Sequence, residues 1–217
     1  MKFIDGIAVF CIICGIADAK CIISKENDKV APWPSKVVWI GDSLTAYWMN
    51  TGRAVWDRHY AALESVNTGI SGAPSTLNIQ QVERDGILDG LNSSVVVIMT
   101  GGNDLKQLHL PGTIIANVTT LVGLVKEKLP AANVLLLGLL PADLPDLVIE
   151  IGKVINAGYA RLDNGNDIRF LDMTRQFADA NDRPLPELYT SDGVHLSSLG
   201  YDRWQATMNP LFQELLG

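Results

Sequence analysis

Four short stretches of this 217-residue chain carry residue types that together could cleave an ester: "GDSL" at 41–44, "ISGA" at 70–73, "GGND" at 101–104 and "DGVH" at 192–195. Ester cleavage needs a nucleophile, a base, a group that orients the base, and hydrogen-bond donors for the developing oxyanion. Ser43 supplies a hydroxyl, and His195 can take its proton. Asp192, three residues before the histidine, can reach the far ring nitrogen from the same loop and fix the tautomer. The backbone N–H groups of Ser43 and Gly72 and the side-chain amide of Asn103 could converge on the oxyanion. A glycine lets substrate approach the backbone, and an amide donates without adding charge. Each stretch alone reads as an ordinary turn or helix cap, so the case rests on the complete set. His59 and His109 have no Asp at the spacing that joins Asp192 to His195. Asp42 and Asp104 read as carboxylates that brace their loops. Tyr47 and Trp48 could line an acyl pocket or pack against the sheet.

Something must bring these stretches together. Strand-like segments are expected at 36–40, 65–68, 94–100, 133–139 and 168–171, and three of them are near-continuous apolar runs of the kind parallel strands show. Ile114, Val118, Leu121, Val122, Val125 and Leu129 recur on one helical face. Trp204, Met208, Leu211, Phe212 and Leu215 do the same near the C-terminus, where Pro210 should kink or restart the helix. Alternating strands and helices imply an α/β fold, a three-layer α/β/α sandwich with about five parallel strands and a flavodoxin-like winding. In such sheets ligands bind beyond the carboxyl ends of the strands, which is where all four stretches fall.

In this order the stretches resemble the four signature blocks of the SGNH (GDSL-type) hydrolases. The resemblance extends from Lys36 to the end of the chain. "VWDRHY" (55–60), "LNSSVVVIMTGGND" (91–104) and "VLLLGLLP" (134–141) are similar to segments of the platelet-activating-factor acetylhydrolase catalytic subunits, with the lysophospholipase and thioesterase branch next. The resemblance implies an SGNH-hydrolase fold and a serine esterase with Ser43 as nucleophile, His195 and Asp192 completing a triad, and Ser43, Gly72 and Asn103 forming the oxyanion hole. It implies no metal or organic cofactor. Ala73 departs from the pattern, since the glycine of the second block is often followed by Asp, so a supporting side-chain hydrogen bond is missing from the expected set. The Gly-x-Ser-x-Gly elbow of α/β-hydrolases is not matched by "GDSLT".

The short segments "LKQLHLPG" (105–112) and "LLPADLPD" (139–146) leave little material for a lid, which favours short acyl groups, acetyl above all. Acyl transfer to a sugar hydroxyl would use the same residues. A non-catalytic binding module would leave the catalytic set without purpose. A net charge of −7 without a basic cluster argues against nucleic acid and anionic membrane as partners. The expected partner is a small ester such as an acetylated sugar or a lysolipid, with no stable membrane insertion of the domain; the oligomeric state is open.

Residues 1–19 read as a secretory signal. Lys2 precedes the apolar run "IAVFCIICGIA" (7–17) and the small residues "ADA" (17–19), which implies export, or a membrane tether if uncleaved. Residues 20–35 read as a polar tether and 36–217 as the hydrolase domain. Cleavage after Ala19 would leave Cys21 as the sole cysteine, excluding an internal disulfide and a cysteine-based metal site. Asn92 and Asn117 match the glycosylation pattern.

Overall fold

The structure, a computed structural model, describes residues 36–217; the leader and the tether expected at 1–35 lie outside the described residues. In chain order the elements are β1 (Val37–Gly41), α1 (Ser43–Ala46), α2 (Arg53–His59), β2 (Val66–Asn67), α3 (Ser75–Glu83), β3 (Val95–Met99), α4 (Gly102–Lys106), α5 (Pro111–Lys128), β4 (Asn133–Leu137), α6 (Asp146–Tyr159), β5 (Ile168–Leu171), α7 (Thr174–Phe177) and α8 (Ser198–Leu216). All five strands pair in parallel, in the order β2-β1-β3-β4-β5, between two helical layers. The expected sandwich is the one observed.

The alternation of side chains along each strand divides the core. Val37 and Trp39 of β1 face α2 and α8, where Trp48, Trp56, Tyr60 and Phe212 crowd the Trp39 ring at centroid distances of 4.7–6.3 Å. Val38 and Ile40 face the other layer, built from α3, α5 and α6. There the helical stripe expected from Ile114 to Leu129 is buried along its whole length. β2 is shorter than expected because it is an edge strand with one neighbour and an exposed Val66. α8 runs through Pro210 without a restart. The proline lies on the exposed side, where the carbonyl of Ala206 that loses its helical donor can face water.

The chain leaves β1 to one side to form β2 and then crosses to the other side to form β3. The order of connection therefore reverses between β1 and β3, and the crevice beyond their carboxyl ends is the place where a wound sheet accepts ligands. Ser43 directly follows β1 and Asn103 closely follows β3.

Candidate active site

The turn that presents Ser43 is constrained by its neighbours. A Cβ at Gly41 would lie 2.2 Å from Thr45 Oγ1 and 2.3 Å from the Met99 carbonyl oxygen, so only glycine lets β1 close against β3 at this point. Asp42 then caps α1, its Oδ1 accepting the Leu44 N–H at 3.0 Å. From the far side, the Tyr201 hydroxyl donates to the Leu44 carbonyl at 2.7 Å. The serine is thus held in a short turn braced on three sides.

His195 reaches it from 152 residues away: Ser43 Oγ and His195 Nε2 are 2.9 Å apart. One carboxylate organises the histidine loop. Asp192 Oδ1 accepts the backbone N–H groups of Val194 and His195, each at 2.9 Å, and the Thr190 hydroxyl at 2.8 Å. Its Oδ2 lies 2.6 Å from His195 Nδ1. Because a carboxylate only accepts, this contact assigns the proton to Nδ1 and leaves Nε2 free to receive the serine proton. Partial burial works against ionisation of Asp192, but its bonds with the imidazole, the two backbone N–H groups and Thr190 outweigh it and hold the carboxyl well below the usual range. The Tyr47 ring packs against the imidazole at a centroid distance of 4.9 Å, while Trp48 is fully buried in the α2/α8 core. The structure thus separates the two aromatics that the sequence left undivided: one touches the catalytic constellation and the other packs the core.

The other two blocks meet at the same end of the sheet. The loop carrying Gly72 is tied to the nucleophile turn by the Ile70 N–H, which donates to the Gly41 carbonyl at 3.1 Å, and by Asn67 Nδ2, which donates to the Thr45 carbonyl at 2.7 Å. Gly72 itself is exposed with a φ of +79°, a conformation side chains rarely adopt, and nothing in the protein occupies the space where a Cβ would stand. Asn103 Nδ2 donates to the Ala73 carbonyl at 3.1 Å and to Asp42 Oδ2 at 3.3 Å. At Ala73, the departure from the family pattern, the contact with Asn103 is made by the main-chain oxygen alone. Asp104, fully buried, accepts the N–H and the hydroxyl of Ser75, both at 2.7 Å, and so locks the block after β3 to the start of α3. This is the bracing role expected of it.

Asp42 links the nucleophile turn to Asn103 at an electrostatic cost. Burial raises its carboxyl to about 6, against the Leu44 N–H and the nearby imidazole, which favour the anion. A carboxyl whose folded pKa exceeds its unfolded value destabilises the fold as pH rises through that interval, here from about 4 to about 6, and the penalty is complete above it. Its size is roughly 3 kcal/mol. Asp42→Asn is therefore expected to gain stability relative to the wild type between pH 4 and pH 7 by up to that amount, read from urea midpoints. A difference between the two proteins that does not change with pH would contradict this.

Some supporting residues were not legible in the sequence. Asn78 of α3 donates to the Gly41 carbonyl at 3.1 Å and accepts the Thr100 hydroxyl at 2.6 Å, while Gln81 Nε2 donates to the Thr68 carbonyl at 2.9 Å. Two amides one turn apart thus fasten the ends of β1, β2 and β3. The available signal was a pair of amides at i and i+3 on the buried face of a helix. Asn156 of α6 similarly clamps both polar groups of the Leu139 backbone, at 2.7 and 3.0 Å. That clamp shapes a cleft which opens beside Ser43, Asn103 and His195 and is walled by Leu139, Leu140, Leu144, Val148 and Ile149. The apolar wall comes from the segment after β4 and the first turn of α6. The histidine hydrogen-bonded to Ser43 is His195, whereas His109 Nδ1 lies 3.4 Å from Asp104 and the His59 ring lies beside Tyr60. The Asn117 amide is engaged within the fold, donating to Ser75 Oγ at 3.0 Å, whereas Asn92 is exposed.

Comparison with known proteins agrees with this geometry. Residues 39–203 match the model of the GDSL-like lipase/acylhydrolase family. Platelet-activating factor acetylhydrolase IB subunit alpha1 from Homo sapiens is 29% identical over 189 residues, covering 83% of this chain and 77% of that protein. The alpha2 subunit from Rattus norvegicus is 22% identical over 185 residues, with 83% and 77% covered. The crystal structure of a GDSL-like lipase from Bacteroides thetaiotaomicron superposes with a TM-score of 0.66 at 25% identity, covering 82% of this chain and 87% of that one. A carbohydrate esterase family 3 protein from Talaromyces cellulolyticus shares the fold, with a TM-score of 0.62 at 16% identity over 84% of this chain and 98% of that one. With the family matched across most of the domain and a serine, a histidine and an aspartate in hydrogen-bonded sequence at the sheet's crevice, this chain belongs to the GDSL-like lipase/acylhydrolase family and is an ester-hydrolysing enzyme.

Proposed function

We propose that the enzyme cleaves carboxylic esters through an acyl-enzyme, with Ser43 as nucleophile, His195 as general base and acid, and Asp192 holding the imidazole. The observation that carries this is the unbroken chain of contacts from Ser43 Oγ to His195 Nε2 at 2.9 Å and from His195 Nδ1 to Asp192 at 2.6 Å. His195 takes the hydroxyl proton as Ser43 Oγ bonds to the ester carbonyl carbon. The carbonyl oxygen becomes an oxyanion, met by the N–H groups of Ser43 and Gly72 and by Asn103 Nδ2. The longer bond of that amide, to Asp42 at 3.3 Å, is the one free to turn toward the oxyanion. The intermediate collapses, the alcohol departs with the proton from His195, and water repeats the sequence to release the acid and restore the serine.

The acyl group on this reading is short, acetyl above all, and the apolar cleft takes a chain on the alcohol side of the ester. The short segments after β3 and β4 support the first part, as does the similarity to proteins named acetylhydrolases. The apolar wall of the cleft supports the second. A series of nitrophenyl esters of increasing acyl length tests both. Turnover should peak at acetate or propionate and vanish in Ser43→Ala. A maximum at long acyl chains would overturn the acyl assignment, and a flat profile unaffected by Ser43→Ala would overturn the mechanism.

A further inference from the structure

Large apolar side chains left exposed on this domain are not evenly spread. Among the described residues eight stand out, and six of them, Ile70, Leu108, Leu110, Leu147, Val194 and Leu199, lie on segments at the carboxyl end of the sheet, the end that carries Ser43. Scattered exposed leucines need no explanation, but a concentration around one face does. Leu108 and Leu110 are the most informative, being 82% and 72% exposed. Leu108 has a φ of 63°, a left-handed conformation that suits glycine or asparagine and penalises a leucine. Leu110 occupies the N-cap of α5 and makes no capping hydrogen bond, where serine or aspartate would accept one. Leu147, also 72% exposed, sits in the first turn of α6. Local structure and solvent both argue against leucine at the first two positions, and a residue that breaks local rules on an exposed rim is placed there for something outside the fold.

The rim continues the cleft. The loop holding Leu108 and Leu110 follows directly from Leu105 and Lys106, which line the cleft, and Leu147 lies between Leu144 and Val148, which also line it. Apolar surface therefore extends outward from beside Ser43 along these two elements, interrupted by the exposed polar side chains of Lys106, Gln107, His109, Asp143 and Asp146. The charges nearby are of both signs: Arg183 pairs with Asp146 and Lys153 with Glu150 and Asp182, while the exposed Lys106 and Asp143 add one charge of each sign. With a chain charge of −7, this surface complements a zwitterionic or uncharged lipid surface and not an anionic one.

We infer that Leu108, Leu110 and Leu147 form a docking rim that seats the catalytic face on a zwitterionic lipid surface, so that an ester substrate passes from the lipid aggregate into the cleft. The choice of substrate rests on the ester-hydrolase mechanism above; the docking itself does not. A triple variant, Leu108→Asn, Leu110→Ser and Leu147→Gln, replaces each leucine by a residue that its backbone position accepts, so thermal stability should hold or rise. Wild type, Ser43→Ala and the triple variant, each as the full chain, are mixed with phosphatidylcholine vesicles and followed by flotation and by hydrogen–deuterium exchange. Wild type and Ser43→Ala should float equally, with slowed exchange at residues 105–111 and 146–149. The triple variant should lose that protection and bind at least about tenfold more weakly, while its turnover of soluble nitrophenyl acetate stays at the wild-type level. Equal binding by the triple variant, or flotation without protection at those segments, would overturn the docking rim. So would a concentration-dependent dimer of the wild type that the triple variant loses, since the leucines would then face a second copy of the chain. Vesicle binding by Ser43→Ala keeps this test separate from that of the mechanism.

Discussion

Ser43→Ala is expected to lower kcat on a soluble nitrophenyl ester by about 10⁴-fold or more, with KM changed far less. The hydroxyl is the sole atom removed from a turn whose shape is set by other groups: Gly41 against β3, the Asp42 cap on Leu44, and Tyr201 on the Leu44 carbonyl. The fold and the cleft should survive, and the loss should fall on the chemical step. His195→Ala should cost a similar amount, because without a base the hydroxyl is a weak nucleophile. The double variant should be little worse than either single one, since the two groups act as a unit and residual rate comes from the oxyanion donors and binding. Losses that multiply in the double variant would mean that Ser43 and His195 contribute independently, and the 2.9 Å contact between them would not be the catalytic one.

Asn103→Ala should cost on the order of 10²–10³ in kcat, the usual consequence of deleting one oxyanion donor. Two features make the site demanding. The bond to the Ala73 carbonyl holds the amide in place before substrate arrives, and the longer bond to Asp42 is the one exchanged for the oxyanion. Its neighbour Asp104 is locked to Ser75 by two bonds of 2.7 Å, which keeps the start of α4 in place when the Asn103 side chain is removed. The loss should therefore appear in kcat with a small change in melting temperature. A variant that keeps kcat within about threefold of the wild type would remove Asn103 from the oxyanion hole.

Much of this was legible in the sequence because the informative signals were local. Near-continuous apolar runs marked β3 and β4, and the Ile114 to Leu129 stripe marked α5, since burial on both faces of a parallel sheet leaves little freedom in residue type. Three short stretches after strands and one before the last helix marked the site, and the structure brings Ser43, Asp192 and His195 into hydrogen-bonding contact. What was not legible depends on long-range geometry. Nothing in the spacing of Asn78 said that its amide would join the ends of β1 and β3, nor did Asn156 announce its clamp on Leu139. Tyr47 and Trp48 are neighbours on one short turn, and only the packing of α2 and α8 separates the ring that meets His195 from the ring that fills the core. The apolar cleft beside Ser43 was not legible either, because its wall joins Leu139, Leu140 and Leu144, from the segment after β4, to Val148 and Ile149 in the first turn of α6.

The central claim is that His195 activates the oxygen of Ser43 toward an electrophilic carbonyl, and covalent labelling tests it most directly. Brief treatment with a fluorophosphonate, followed by digestion and mass spectrometry, should place one phosphonyl group on Ser43 in the wild type and none in Ser43→Ala. In His195→Ala, labelling should be slower by orders of magnitude. Stoichiometric modification of a different residue, or labelling of Ser43 at an undiminished rate without His195, would contradict the account.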